Sequence, residues 1–486
     1  MQSHSRPLNA VRPLHLAAGF ATLLALLAPQ LAAAQSGCPS DTCGFSTCNT
    51  PATAVPQALW GELEPTDVGQ LPSNRDDSSD IRLDFNIYNP YWQAIDIENG
   101  WILAAIHKGL QIWDARTTPG APTRTSVFDL SNPLNIPVYL APPEDKDPVY
   151  DIDAPAGVDT MAAVTMDSST GTVILNLTDK NHPKVAYQDA GSGKNAFQVW
   201  ASNQGGTNYA FAAYQGKGIR VYNMDKAVAS YTKCRDDTPS SITCPGVFVG
   251  TVGSDSSVTY LSGAGHFLAA SVKGGFQQPN YIKIYNVAAP TNAQSLSSPV
   301  LTIDVRSAAG AILPAYGNAL WTTPGGKIYL AVRASSESHI YDVSCLNTGS
   351  CGSLHPIWRM SHYADVSEYA TFSMSGSTPF VYFGNDTQCA GSLTSPVIQN
   401  EWLFDVSNPA SPRDITPPPQ LLPDPYTGLP ELTGYWGWYY RRNPTGFNWV
   451  MPRVGKFYGE YFYRAAGSIF DIHRRTGGIA PTADFT

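Results

Sequence analysis

Seven short segments of this chain end alike: Ile112–Arg116, Ile174–Thr178, Val221–Asp225, Ile284–Ala288, Ile340–Ser344, Leu403–Ser407 and Ile469–His473. Each has two large apolar or aromatic residues, then Asp or Asn, then usually a small or aliphatic residue. Their starts lie 47 to 66 residues apart. One β-rich unit recurring at that period specifies a propeller or a solenoid.

Read backwards from each segment, the same strand order returns. In the first unit the pattern predicts strands over 92–98, 101–107, 110–116 and 125–131, joined by turns such as Asn99-Gly100. Units three and four repeat this over 197–252 and 258–306. Four antiparallel strands on tight turns make one propeller blade. A pair of β-sandwich domains would give strands at similar spacing without a recurring segment. The seventh unit shows only three strand-like runs, 436–441, 456–465 and 468–473. The run Ile81–Tyr88 precedes the first blade unpaired. A closed ring removes exposed sheet edges, so Ile81–Tyr88 is expected to supply the outer strand of blade seven. The fold predicted is all-β, a single seven-bladed β-propeller over 81–473. It follows a lead-in at 35–80 that lacks periodicity and precedes a tail at 474–486. The Pro-rich run Thr416–Pro425 reads as too stiff for a strand and is expected as a loop.

The apolar–Asp–Ser/Pro pattern of Asp405–Arg413, Asn286–Ala293 and Asn176–Val185 resembles the repeat of LVIVD-type β-propellers. The likeness covers most of residues 80–473. It implies a structural repeat in exported binding or scaffold proteins, and implies no reaction. The physics of the repeat agrees: Asp or Asn at a strand end accepts backbone N–H bonds in the following turn. These residues read as turn formers, not ligands.

Residues 1–34 read as a signal peptide. Arg6 and Arg12 form a basic start, Leu16 to Leu27 an apolar run, and Ala32-Ala33-Ala34 a cleavage site. Nothing else is long and apolar enough to span a membrane. The expected location is secreted or periplasmic. Loss of two arginines takes the formal charge from −9 to about −11, which disfavours a nucleic-acid partner. Eight cysteines in an exported chain imply disulfides. Cys234 with Cys244 and Cys345 with Cys351 each close a short loop, and both bonds are expected. The pairing of Cys38, Cys43, Cys48 and Cys389 stays open.

Catalytic signatures are scarce. There is no G-x-S-x-G elbow and no H-E-x-x-H. Gly191–Lys194 (GSGK) lacks the upstream glycine and following hydroxyl of a phosphate loop and reads as a turn. The acidic run around Asp151, Asp153 and Asp159 offers oxygen ligands for Ca²⁺ but not an EF-hand spacing, so a solvated loop is the better reading and no cofactor is expected.

Blade-to-blade connections meet at one end of a propeller channel, with second-to-third strand turns expected at the other. The connections carry Trp92, then His362, Asp365 and Glu368, then Trp436, Trp438, Arg441 and Arg442. Flat aromatics with both charge signs suit a polar ligand. The function expected is a monomeric, non-enzymatic binding or scaffold protein for a protein, peptide or glycan. The alternative is a metal-dependent, lactonase-like hydrolase using carboxylates and His362 around a channel ion. Fold alone does not choose between them.

Overall fold

The computed structural model describes residues 63–70 and most of 92–475. The described strands form seven antiparallel blades, each running from an inner strand outward. The inner strands are Trp92–Glu98, Val149–Asp153, Ala196–Gln204, Ser257–Ala264, Ala315–Thr322, Tyr369–Ser375 and Pro452–Tyr458. Blade two carries a fifth strand. Cys234–Arg235, from an excursion of blade three, pairs parallel to the outer strand Lys184–Asp189.

Second and third strands are the most deeply buried. Met161–Met166, Gly171–Asn176 and Ile328–Ala334 are buried at every position. A strand covered on both faces has no polar side, so its sequence reads as a continuous apolar run. Small residues in the second strands, such as Ala104, Ala162, Ala212, Ala269 and Ala331, are buried and let neighbouring blades approach. Gly263 shows how tight this becomes: a Cβ there would lie 2.3 Å from the Trp200 ring of the preceding blade. Farther round, Trp321 of blade five stacks on Phe372 of blade six, with ring centroids 5.4 Å apart.

In five blades the repeat's Asp or Asn forms a turn, while Asp471 of the seventh lies within the strand Ile469–Arg475. Asp114, Asn176, Asn286, Asp342 and Asp405 each accept a bond from the backbone N–H two residues on, at 2.9–3.0 Å. Asn223 instead accepts from Lys226 N at 2.9 Å and opens the helix Met224–Ser230. The strand predicted through Asp225 therefore stops at Asn223.

The ring closes through an N-terminal strand, but a different one from that predicted. Leu63–Gln70 pairs antiparallel with Ile469–Arg475 as the outer strand of blade seven. Ile81–Tyr88 lies outside the described residues. Leu63–Gln70 (LEPTDVGQ) has weak strand signals because an edge strand needs neither an apolar face nor a full set of N–H donors, and so tolerates Pro65.

The inner strand of blade seven is Pro452–Tyr458, not the 436–441 run. The predicted strand 456–465 is instead a hairpin, with Tyr458 opposite Tyr461 and Gly459 at φ 59° in its turn. Tyr440–Asn443 pairs with Gly446–Trp449 in a separate two-stranded sheet. Part of Thr416–Pro425 is also a strand, since Gln420–Pro423 pairs with Pro430–Thr433. Pro423 and Pro430 stand at the end of that ladder, where a missing donor costs least.

Cys345 and Cys351 form a disulfide across six residues. Cys244 is also disulfide-bonded; the side chain of Cys234 and the residues Cys38, Cys43, Cys48 and Cys389 lie outside the described set. Closing so short a loop contributes about 2 kcal/mol by chain entropy. Changing Cys345 and Cys351 together to Ser is expected to lower unfolding stability by about that amount in urea titrations. An unchanged midpoint would refute it. No helix among the described residues is long and apolar enough to cross a membrane.

Candidate functional site

Inner strands form the wall of the channel, and one edge of each lacks a ladder partner inside its own blade. Buried N–H groups along such an edge need acceptors. Each of the first four blades supplies one to its neighbour. Asp96 accepts from Ala154 N at 2.8 Å, and Asp153 from Ala201 N at 2.7 Å. Gln198 accepts from Leu261 N at 2.7 Å, and Ser262 Oγ from Leu320 N at 2.9 Å. Asp151 adds a bond from Val199 N at 3.1 Å, and Glu98 one from Gly157 N at 2.6 Å. This belt staples blade to blade, which accounts for polar side chains on strands that are otherwise apolar.

The belt leaves one carboxylate oxygen of each aspartate for the channel. Lys456, from the inner strand of blade seven, lies 2.6 Å from Asp96 Oδ1 and 3.4 Å from Asp153 Oδ1. Asp96, Glu98, Asp151, Asp153 and Lys456 line a cavity of about 210 Å³ that all seven inner strands border; Trp200 and Phe372 also line it. Four carboxylates thus face one ammonium. Burial would pull the Lys456 pKa down, but Asp96 and Asp153 outweigh that and hold it protonated. Burial, then the Asp96 charge, pushes Glu98 up to about 9. Burial likewise lifts Asp151 to about 7 and Asp153 well above the usual carboxylate range. Near neutral pH Glu98 and Asp153 therefore hold protons, which a second cation could displace.

Register places this cluster at a definite end. Trp92 lies opposite Ile106, Ile106 opposite Gly109, and Gly109 opposite Asp129. Second-to-third strand turns therefore share the connection end with Trp92, contrary to the expectation that they point the other way. Strands that alternate in direction must return every second turn to the same end. Glu98, Asp153 and the following Asp159 lie toward the opposite end, where the first hairpin of each blade turns.

Among the predicted site residues, Trp92 opens the first inner strand at the connection end. Arg441 and Arg442 lie in the small strand Tyr440–Asn443, and their side chains are not described. His362, Asp365, Glu368, Trp436 and Trp438 lie outside the described residues. The acidic run is not a solvated loop throughout. Val149–Asp153 is an inner strand, with Asp151 buried and Asp153 half-buried. Asp159 stays apart from the cavity and pairs with Lys180 at 3.6 Å. Among the described residues no group of three or more His, Cys, Asp or Glu is arranged to hold a metal ion.

Asp96, Glu98 and Lys456 are site residues that sequence reasoning missed. The usable signal was the acid–Ile–acid pattern shared by Asp96-Ile97-Glu98 and Asp151-Ile152-Asp153. Alternation puts both acids of each pair on one face of the strand.

No family model matches the chain, and no curated protein matches it. Among solved structures it is similar to Raptor from Chaetomium thermophilum, at 13% identity and a TM-score of 0.44, over 81% of this chain and 28% of that one. It is also similar to a chain of the COPII outer coat vertex on membranes, at 11% identity and a TM-score of 0.46, over 82% of this chain and 87% of that one. A third likeness is to the COPII coat assembled on membranes, at 11% identity and a TM-score of 0.46, over 82% of this chain and 48% of that one.

Proposed function

We propose that the chain is an exported, non-enzymatic propeller that binds a protein or peptide partner by receiving one of its cationic side chains in the channel. The carrying observation is the set of four carboxylates around the single ammonium of Lys456. A second ammonium or guanidinium would offset the repulsion and burial that now raise Glu98 and Asp151. Trp200 adds an aromatic wall, which suits a cation. The signal-like first 34 residues and the likeness to LVIVD-type propellers support export and a binding role. The disulfide at Cys345–Cys351 is compatible with an extracellular setting.

Calorimetric titration tests the reading. The tripeptide Gly-Arg-Gly is compared at pH 8 with its uncharged citrulline analogue. The arginine peptide should bind about tenfold tighter or more, equivalent to about 1.4 kcal/mol, and Glu98→Gln with Asp151→Asn should remove the difference. Equal affinities would sink the proposal. The aromatic set at the connection end is a proposal of its own, with a glycan as the other ligand class. Binding lost in Trp436→Ala with Arg441→Ala, but kept in the channel variants, would move the ligand there. Lactone hydrolysis abolished by chelator would favour the hydrolase alternative.

A further inference from the structure

A second surface lies on the circumference, between blades four and five. Its first wall is the outer strand Leu301–Ile303 with the following segment through Gly310; its second runs from Gly352 to Arg359. Together they enclose a groove of about 700 Å³ with Tyr341 in its lining. This volume is larger than the channel cavity and does not share residues with it.

The groove is held in shape by bonds that join its walls. Glu337 Oε1 of blade five accepts from Ala308 N of the first wall at 3.1 Å. Its other oxygen lies 2.8 Å from His339 Nε2, and His339 Nδ1 lies 3.0 Å from the Tyr341 hydroxyl. Burial holds the His339 pKa down. The neutral ring therefore donates to Glu337 from Nε2 and accepts from Tyr341 at Nδ1. The disulfide Cys345–Cys351 closes the loop that leads into the second wall.

Two properties of the rim indicate what fits. The first is apolar exposure. Four large apolar side chains stand well exposed among the described residues, and three of them belong to the groove's walls or their continuation: Val300 at 51%, Ile312 at 39% and Ile357 at 39%. Val300 precedes the outer strand, Ile312 bridges to Arg306, and Ile357 lies between the lining residues Pro356 and Arg359. None of the three lines the groove itself; each adjoins or bridges to a lining residue, so they form an exposed apolar rim beside it.

The second is charge. The lining offers Arg306 and Arg359 against Asp304, on a chain whose formal charge is −9. Asp304 is taken up by Arg306 at 3.3 Å. Arg359 stands 3.9 Å from Glu337, whose oxygens already accept from His339 and Ala308 N. The Arg359 guanidinium thus has donors to offer outward.

We infer that this groove docks an extended peptide segment of a partner protein that carries aliphatic and acidic side chains in alternation. Aliphatic groups would cover Ile312 and Ile357 on the rim, and a carboxylate would meet the outward donors of Arg359. The inference is independent of the channel reading, which concerns a cationic group at a different place.

Fluorescence anisotropy tests it with two labelled octapeptides, one alternating Asp and Leu, the other Lys and Leu. The acidic peptide should bind about tenfold tighter or more, and its binding should weaken with salt. Arg306→Glu and Ile312→Ser are both exposed changes away from the Glu337 network; each should weaken binding by about tenfold, while Lys217→Ala, on an exposed turn of blade three, leaves it unchanged. Arg359→Glu should weaken it further; circular dichroism checks that this variant folds, and the other two stand if it does not. Equal binding of the two peptides, or equal binding by wild type and Ile312→Ser, overturns the inference. So does a dimer in sedimentation that Ile312→Ser dissociates, since the groove would then be a self-interface.

Discussion

Asp189→Ala will cost the fold about 3–5 kcal/mol, the usual result of removing one partner of a buried ion pair. Asp189 ends the outer strand of blade two and is fully buried. Its carboxylate receives Arg220 Nε at 2.6 Å and the Tyr222 hydroxyl, both from blade three. The Tyr222 hydroxyl lies 3.2 Å from that of Tyr214, which in turn meets Thr172 Oγ1 of blade two at 2.7 Å. Arg220 also lies over the Phe248 ring at 4.2 Å. Burial opposes the Arg220 charge, but Tyr222 and Asp189 outweigh it and raise the pKa. Without Asp189 a guanidinium and a phenol stay desolvated between two blades with no carboxylate to receive them. The double change Asp189→Leu with Arg220→Met should recover most of the loss, because an apolar pair of similar volume often replaces a buried ion pair at little cost. Urea unfolding of the three proteins decides it. A single variant as stable as wild type, or a double variant as weak as the single, would show that the pair does not hold these blades together.

What could be read in the sequence depended on how regularly each feature repeats. The third strand of a blade is strongly apolar and in five blades ends in an Asx turn, so its pattern appears seven times in recognisable form, and from it the blade count follows. The inner strands carry the channel chemistry and differ from blade to blade. Asp96, Asp153, Gln198 and Ser262 perform one task, accepting a neighbour's edge N–H, with different side chains. No fixed letter marks that position. Val149–Asp153 reads as a solvated loop because its acids look hydrophilic in sequence, although each meets a backbone N–H of blade three. Lys456 sits among aromatics 303 residues from Asp153, and only ring closure brings them together. The closing strand Leu63–Gln70 escaped for the opposite reason. An outer edge makes few demands on its sequence, so little in that sequence reveals it.

Lys456→Met should destabilise the protein by about 3–5 kcal/mol at pH 8 and by clearly less at pH 5. The Lys456 charge lowers the pKa of Glu98, Asp151 and Asp153 against the larger effect of burial. Removing it lets all three rise further. A carboxyl whose folded pKa exceeds its unfolded value binds more protons in the native state between the two values, so stability falls as pH rises across that interval. In the wild type the interval runs from the ordinary carboxylate range to about 7 for Asp151 and about 9 for Glu98. Stability should therefore already decline from pH 5 to pH 9, and the variant should decline more steeply. The lysine itself does not reverse this. Its folded pKa is raised, so its contribution is complete below the unfolded lysine pKa and is present throughout pH 5–8. At pH 5 Glu98, Asp151 and Asp153 hold their protons and need no ammonium, whereas at pH 8 they must either ionise unpaired or take up protons from dilute solution. Urea titrations of both proteins at pH 5 and pH 8 measure the difference directly. If the variant's deficit is the same at the two values, the Lys456–carboxylate coupling is not what governs the channel, and the case for a cation-seeking site falls with it.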